Sequence, residues 1–337
     1  MAMQPYIAAA NALRYVLDAA AGDRLVVFCD PEKQEIGRAF AHGALDLGLW
    51  TRIVVLDAPP IDKAGPRKLV PPFATEILVR GEADIYINLF RGPAEEVPFR
   101  IRFIQLESRR RVRLGHCPGI TLEMMTEGAL ALEQAEYEKM QGQAVALLSR
   151  LRGVHRIHLS NGIGTDLTFS VKGRDFFTDT KVDWRTLKWM NLPVGEVIAG
   201  PVEDSLDGKL VCDVAVGGIG VIRKPVTIMA KGGRAAEVQC DDEAVRSKIL
   251  AALDTDLMAR HVGEFAFGLN HKARLSSEFL EIEKLGGTCH IAFGNNSDYP
   301  SGQNTSANHM DFLISSPTVE ADWGEGFQVL MKDGKLK

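Results

Sequence analysis

From about residue 5 to 125, short β-branched runs alternate with amphipathic segments, the pattern of an open α/β sheet. Residues 25–30 predict a buried strand that ends on Asp30 and Pro31, and a helix over 33–47 follows, closed by Gly48. A strand over 52–56, a proline-rich loop to Pro72, a helix, and strands over 83–88 and 112–115 complete a small doubly wound unit. One long helix is predicted over 121–151, linking two halves of the chain. After Gly153 the texture changes to strands and glycine turns, at 156–159, 166–171, 211–216 and 226–230, with one clear helix over 242–253. The reading is an α/β protein: a doubly wound N-terminal domain over 1–150, carrying the linking helix, and a larger β-rich α+β metal-binding domain over 151–337.

Length agrees, since 337 residues exceed one ordinary compact domain. Neither a Gly-x-Gly-x-x-Gly after the first strand nor a phosphate-binding Gly-x-x-x-x-Gly-Lys is present, so the N-terminal fold implies no nucleotide. A net charge of −5 and a pI near 6.0 give no general attraction to phosphate backbones or anionic lipid, which speaks against nucleic acid and membrane partners. The five cysteines form no Cys-x-x-Cys pair and read as free thiols in a reducing compartment. With no basic stretch and apolar core after Met1, the expected location is the cytoplasm.

Candidate chemistry lies in the second half. In an extended strand over 309–314, His309 and Asp311 project from one face with Leu313 beneath them, a two-pronged metal claw. His290 opens another apolar strand, and the glycine- and asparagine-rich loop over 295–308 can fold it onto the same spot. Two imidazoles and a carboxylate suit iron, zinc, manganese or cobalt. Taken singly, a strand histidine is more often structural. Together with Asp311 beside Phe312, Leu313 and Ile314, however, they make a buried carboxylate that a cation would compensate. Glu196 and Glu264, each a single acid among apolar residues and glycines, read on their own as surface acids at strand starts. His261 and His271 flank Glu264 as possible proton-transfer groups or exposed turn residues. His116-Cys117 reads as a buried thiol with a loop histidine, and Arg109, Arg110, Arg111 and Arg113 as a solvated face.

The ordered segments Gly164-Thr165-Asp166-Leu167, Asn191-Leu192-Pro193-Val194-Gly195-Glu196-Val197, Gly263-Glu264-Phe265, His290-Ile291-Ala292-Phe293-Gly294 and His309-Met310-Asp311 resemble the thermophilic-type metallo-aminopeptidases, the aminopeptidase T and S family, over about 164–333. The resemblance implies a homodimer with a co-catalytic pair of divalent ions, zinc, cobalt or manganese, held by Glu196, Glu264, His290, His309 and Asp311. Glu264 and Tyr299 are the implied catalytic residues; Tyr299 stands about two positions from the family's tyrosine. The implied reaction is cleavage of an N-terminal peptide or amide bond in a small substrate by a metal-activated water. The sequence is similar, more distantly, to the single-iron dioxygenase that opens 2,5-dihydroxypyridine. That enzyme shares the His-x-Asp claw but has histidine where Glu264 stands and no counterpart of His290, which leaves Fe(II) ring cleavage as the alternative. A catalytically silent binding module is the third reading.

Overall fold

The computed structural model describes residues 2–183 and 189–337, the side chain of Ala94 excepted. The chain divides into two compact units, Met1–Gln141 with Asp179–Val194, and Gly142–Thr178 with Gly195–Lys337.

The first unit is built on a five-stranded parallel sheet in the order Trp50–Val55, Arg24–Cys29, Ile85–Leu89, Arg113–His116, Met190–Asn191. Ile85–Leu89 is buried at every position and Arg24–Cys29 at all but the first, as strands covered on both faces must be. Phe28, Phe90, Phe99 and Phe103 interlock in the core, Phe103 meeting Phe28 and Phe90 edge-on at centroid distances of 4.9 and 5.0 Å. Strand order reverses between Arg24–Cys29 and Ile85–Leu89, the place where open α/β sheets usually take a ligand. Here the protein's own charges meet at that place. Arg67 spans Asp30 at 2.5 Å and Glu96 at 2.6 Å, and Arg91 holds Glu96 at 2.5 Å, with both acids fully buried. The guanidinium pairs outweigh the effect of burial and pull Glu96 far below the ordinary carboxylate range.

The single helix expected over 121–151 is two, Leu122–Thr126 and Gln134–Arg150. Gly128 ends the first turn region, its N–H bonding Glu123 O. The run 129–132 is buried at each residue, so it crosses the interior as irregular chain instead of presenting one helical face. The boundary between the two units falls within Gln134–Arg150. His116 and Cys117 are buried in the first unit. Burial pushes the imidazole down to about 3 and the thiol strongly up, so neither is an activated nucleophile or base.

The second unit contains two antiparallel sheets. Eight strands run in the order Arg234–Gln239, Val226–Lys231, Asp207–Cys212, Asp166–Ser170, Arg156–Ser160, Thr318–Asp322, Phe327–Lys332, Lys335–Leu336. Seven run Gly220–Val221, Ala215–Val216, His309–Ser315, Thr288–Gly294, Val262–Gly268, Glu196–Ala199, Phe177–Thr178. The eight-stranded sheet alternates, with Ile157, Leu159, Leu167 and Phe169 buried between polar neighbours, so one of its faces packs inward. Phe169 meets Phe265 of the other sheet at 5.1 Å, which places Phe265 and Phe267 on the face where the two sheets join. Val262–Gly268 and Thr288–Gly294 are nonetheless buried at all seven positions. Their second face is therefore covered too, and the polar groups lie on it. Among the described residues, no helix is long and apolar enough to cross a membrane.

Candidate metal centre

Register places the polar groups. Ala292 pairs with both Glu264 and Asp311, His290 with Ala266 and Leu313, Gly294 with His309, and Gly268 with Glu196. Directly paired residues share a face, so Glu196, Glu264, His290, His309 and Asp311 all project from the face opposite Phe265. Ala266, Gly268, Ala292 and Gly294 interleave them. These are small side chains, and they leave the ends of the long ones room to meet.

The ends do meet. His290 Nε2 lies 3.2 Å from Glu264 Oε1, 3.5 Å from Glu196 Oε1 and 3.8 Å from Asp311 Oδ1. His309 Nε2 lies 3.1 Å from Glu264 Oε2 and 3.4 Å from Asp311 Oδ1. Two donor groups result, Glu196–Glu264–His290 and Glu264–His309–Asp311, each with ligand atoms within 4.8 Å of one another and sharing Glu264. All are buried except His309, whose side chain is 34% exposed.

Local backbone fixes the ligands. Gly195 adopts φ +145°, and a Cβ there would lie 2.6 Å from Asn270 Cβ, so Glu196 can start its strand only after glycine. Gly217 lies against Asp311, where a Cβ would sit 3.0 Å from its N and 3.2 Å from Oδ2. The loop 295–308 is tied down by Asn296, Asn304 and Asn308. Asn304 Nδ2 donates to Gly294 O at 2.5 Å and Asn308 Nδ2 to Phe293 O at 3.1 Å. Glu203 accepts from Gln303 N and Asn296 Nδ2, anchoring the same loop from outside. The loop brings the Tyr299 hydroxyl onto Glu264 Oε2, to which it donates. Tyr299 packs edge-on against Phe177 at 5.3 Å.

Sequence reasoning overlooked two further charges. Lys284 Nζ contacts Glu196 Oε2 and lies 2.8 Å from Glu283 Oε1, its side chain only 3% exposed. The pair follows the short helix Phe279–Ile282, held on the ligand face because Ile282 and Phe279 pack with Leu313, Val214 and Ala215. A lysine enclosed between Ile282 and Leu285-Gly286-Gly287 was the available signal. His261 and His271 stand apart from the centre. His261 faces Arg234 and the Glu203 carbonyl, and His271 is exposed.

The electrostatics is that of crowded acids. Burial opposes protonation of His290, but Glu264, Glu196 and Asp311 reverse this and raise it to about 9. Burial likewise opposes protonation of His309, and Asp311 and Glu264 push it well above its ordinary value. Burial raises Glu264, yet hydrogen bonds from the two histidines hold it well below the carboxylate range. Burial pushes the Tyr299 hydroxyl well up, and the neighbouring Glu264 adds to it. The cluster thus attracts positive charge from whatever source supplies it.

The sequence profile of the thermophilic metalloprotease family (M29) matches residues 133–336. The chain belongs to this family. Two solved structures share the fold over nearly the whole chain. Wild-type AmpT from Thermus thermophilus is 20% identical, covers 98% of each chain and superposes with a TM-score of 0.74. The 2,5-dihydroxypyridine dioxygenase from Pseudomonas putida KT2440 is 14% identical, covers 99% of this chain and 97% of that one, with a TM-score of 0.71. No curated protein sequence matches the chain significantly. An M29 metalloprotease is a metal-dependent hydrolase, and a divalent cation is therefore implied.

The residues fit such an ion. His309 Nδ1 lies 2.8 Å from Asn295 O, which can only accept; Nδ1 therefore keeps its hydrogen, and Nε2, which faces Glu264 and Asp311, is the nitrogen that would give up its proton to take an ion. Three buried carboxylates facing two imidazoles form a hard oxygen and nitrogen donor set suited to zinc, cobalt or manganese.

Proposed function

We propose that this metalloprotease is an aminopeptidase-type hydrolase with two divalent ions, zinc, cobalt or manganese, one held by Glu196, Glu264 and His290 and the other by Glu264, His309 and Asp311. The single observation that carries this reading is the pair of donor groups sharing the Glu264 carboxylate. A single-ion site has no use for the second group, and the alternative of one iron cleaving a hydroxylated ring would leave His290 and Glu196 unexplained.

When bound, the ions supply an acidified water as nucleophile and polarise the scissile carbonyl. The protein's own side chains do the rest. Glu264, whose two oxygens face different histidines, is the carboxylate the two donor groups share; it would help hold both ions and would be the acceptor for the proton the water releases. Tyr299, whose hydroxyl donates to this carboxylate in the structure, would turn that one hydrogen to the oxygen that gains charge as the carbonyl becomes tetrahedral. The hydroxyl is protonated at neutral pH, since burial and Glu264 both hold it so.

The test is elemental analysis of anaerobically purified protein, followed by assays with aminoacyl chromogenic amides, N-blocked amides and dihydroxypyridine under oxygen. Two zinc-like ions per chain with turnover of the free-amino amides alone support the reading. One iron with oxygen uptake would replace it with the dioxygenase reading.

A further inference from the structure

Four carboxylates, Glu196, Glu264, Glu283 and Asp311, crowd the centre, and a fixed ammonium stands among them. Buried lysines are rare, and this one follows a short helix whose Phe279 and Ile282 pack with Leu313 on the ligand face. We propose that Lys284 is a resident cation of the metal centre whose charge makes the Glu196–Glu264–His290 position the weaker of the two. The inference rests on the two-ion reading.

The two donor groups have the same formal charge, since each has two carboxylates and one imidazole. What distinguishes them is Lys284, which contacts Glu196 and belongs to one group alone. Charge counting gives the consequence. Among the described residues, four carboxylates less one ammonium leave at most three negative charges. A first divalent ion leaves one, and a second ion meets that remainder while also facing an ammonium on its own ligand. Like charges a few ångströms apart in a partly buried site reduce affinity by about tenfold or more even at a generous effective dielectric. The Glu264–His309–Asp311 position, with a partly exposed imidazole and no lysine among the described residues, fills first.

Glu283 sets how strongly the ammonium acts. It accepts from Nζ at 2.8 Å and so draws off part of the charge. The two residues therefore predict opposite changes. Lys284→Met keeps length and removes the charge. Glu283→Gln keeps shape and removes the carboxylate charge that Glu283 sets beside the ammonium.

The experiment is titration of chelator-treated full-length protein with Co²⁺, read by visible absorption and by calorimetry, with thermal unfolding in parallel. Wild type is expected to bind in two resolved steps. In Lys284→Met the weaker step tightens about tenfold or more, so that the steps merge; in Glu283→Gln it weakens. Lys284→Arg, which keeps the charge, retains two separate steps. Two-step binding left unchanged by both Lys284→Met and Glu283→Gln overturns this inference alone. Loss of the weak step in Lys284→Met, with unfolding unchanged, also overturns it. No binding, or a single ion, in the wild type overturns the two-ion reading and this inference with it.

Discussion

Gly195→Ala tests how tightly the fold positions the centre. The glycine precedes Glu196 at φ +145°, and its missing Cβ would lie 2.6 Å from Asn270 Cβ and 3.1 Å from Asn270 N. Two costs combine. The backbone conformation is one that side-chain-bearing residues rarely adopt, costing about 1–3 kcal/mol. A carbon placed inside contact distance of a fixed strand adds about 1–3 kcal/mol of overpacking. Asn270 cannot easily move, because its N–H bonds Lys284 O and its carbonyl receives Gly286 N, both in the segment that carries Lys284. The expected destabilisation is thus roughly 2–6 kcal/mol if the chain keeps its path. If it relaxes, Glu196 moves from its place opposite Gly268, and the first donor group opens. Either outcome is measurable. Calorimetry should show a lower Tm, and metal analysis should show loss of one ion from the Glu196 position. Gly142→Ala is the control: this glycine lies in the helix Gln134–Arg150 with open space around it, and alanine there should stabilise by about 0.4–1 kcal/mol. A Gly195→Ala protein with unchanged Tm and full ion content would refute the reasoning.

Three further perturbations probe separate links. Tyr299→Phe should leave the ion content intact and lower kcat by about 10²–10³, the usual effect of losing one oxyanion donor, so a loss below threefold would remove Tyr299 from the reaction. Phe265→Ala, at the contact of the two sheets beneath the ligand face, should destabilise by about 3–5 kcal/mol in denaturant titration; a value under 1 kcal/mol would mean the sheets do not pack through this ring. Glu107 is fully enclosed, bonded by Asn88 Nδ2, and burial pushes its carboxyl well above the ordinary value. Because its folded pKa is raised, ionisation opposes folding above the unfolded value near 4, and the cost is absent below it. Glu107→Gln should therefore raise Tm at pH 7–8 and lose that advantage as pH falls toward 4; equal effects at both ends would contradict it.

The parts of this protein legible in sequence are those governed by local periodicity. His309 and Asp311 share a face because strand side chains alternate, and the structure places Leu313 beneath them as alternation requires. Strand and helix starts in the first unit follow their apolar runs, as at Arg24–Cys29 and Gln34–Asp46. What escaped depends on distant partners. The two-residue strand Met190–Asn191 joins the parallel sheet from far along the chain, and nothing local marks it. Asp30, Arg67, Arg91 and Glu96 look like ordinary surface charges until folding collects them. Glu283-Lys284 has only its apolar and glycine flanks as a local signal, and the packing of Ile282 against Leu313 is what sets it beside Glu196. The helix expected over 121–151 failed for the opposite reason. Its composition favours helix, but Gly128 and an all-buried stretch outweigh propensity.

The sharing of Glu264 between two ion positions is the claim from which the activity follows. Its most direct test is the metal content of Glu264→Gln measured beside Glu196→Gln and Asp311→Asn, each after equilibration with Zn²⁺ and gel filtration. The account predicts that Glu196→Gln and Asp311→Asn each lose one ion of two, whereas Glu264→Gln loses both while remaining folded by circular dichroism. A Glu264→Gln protein that keeps a full complement of ions, or loses no more than the other two, would contradict it.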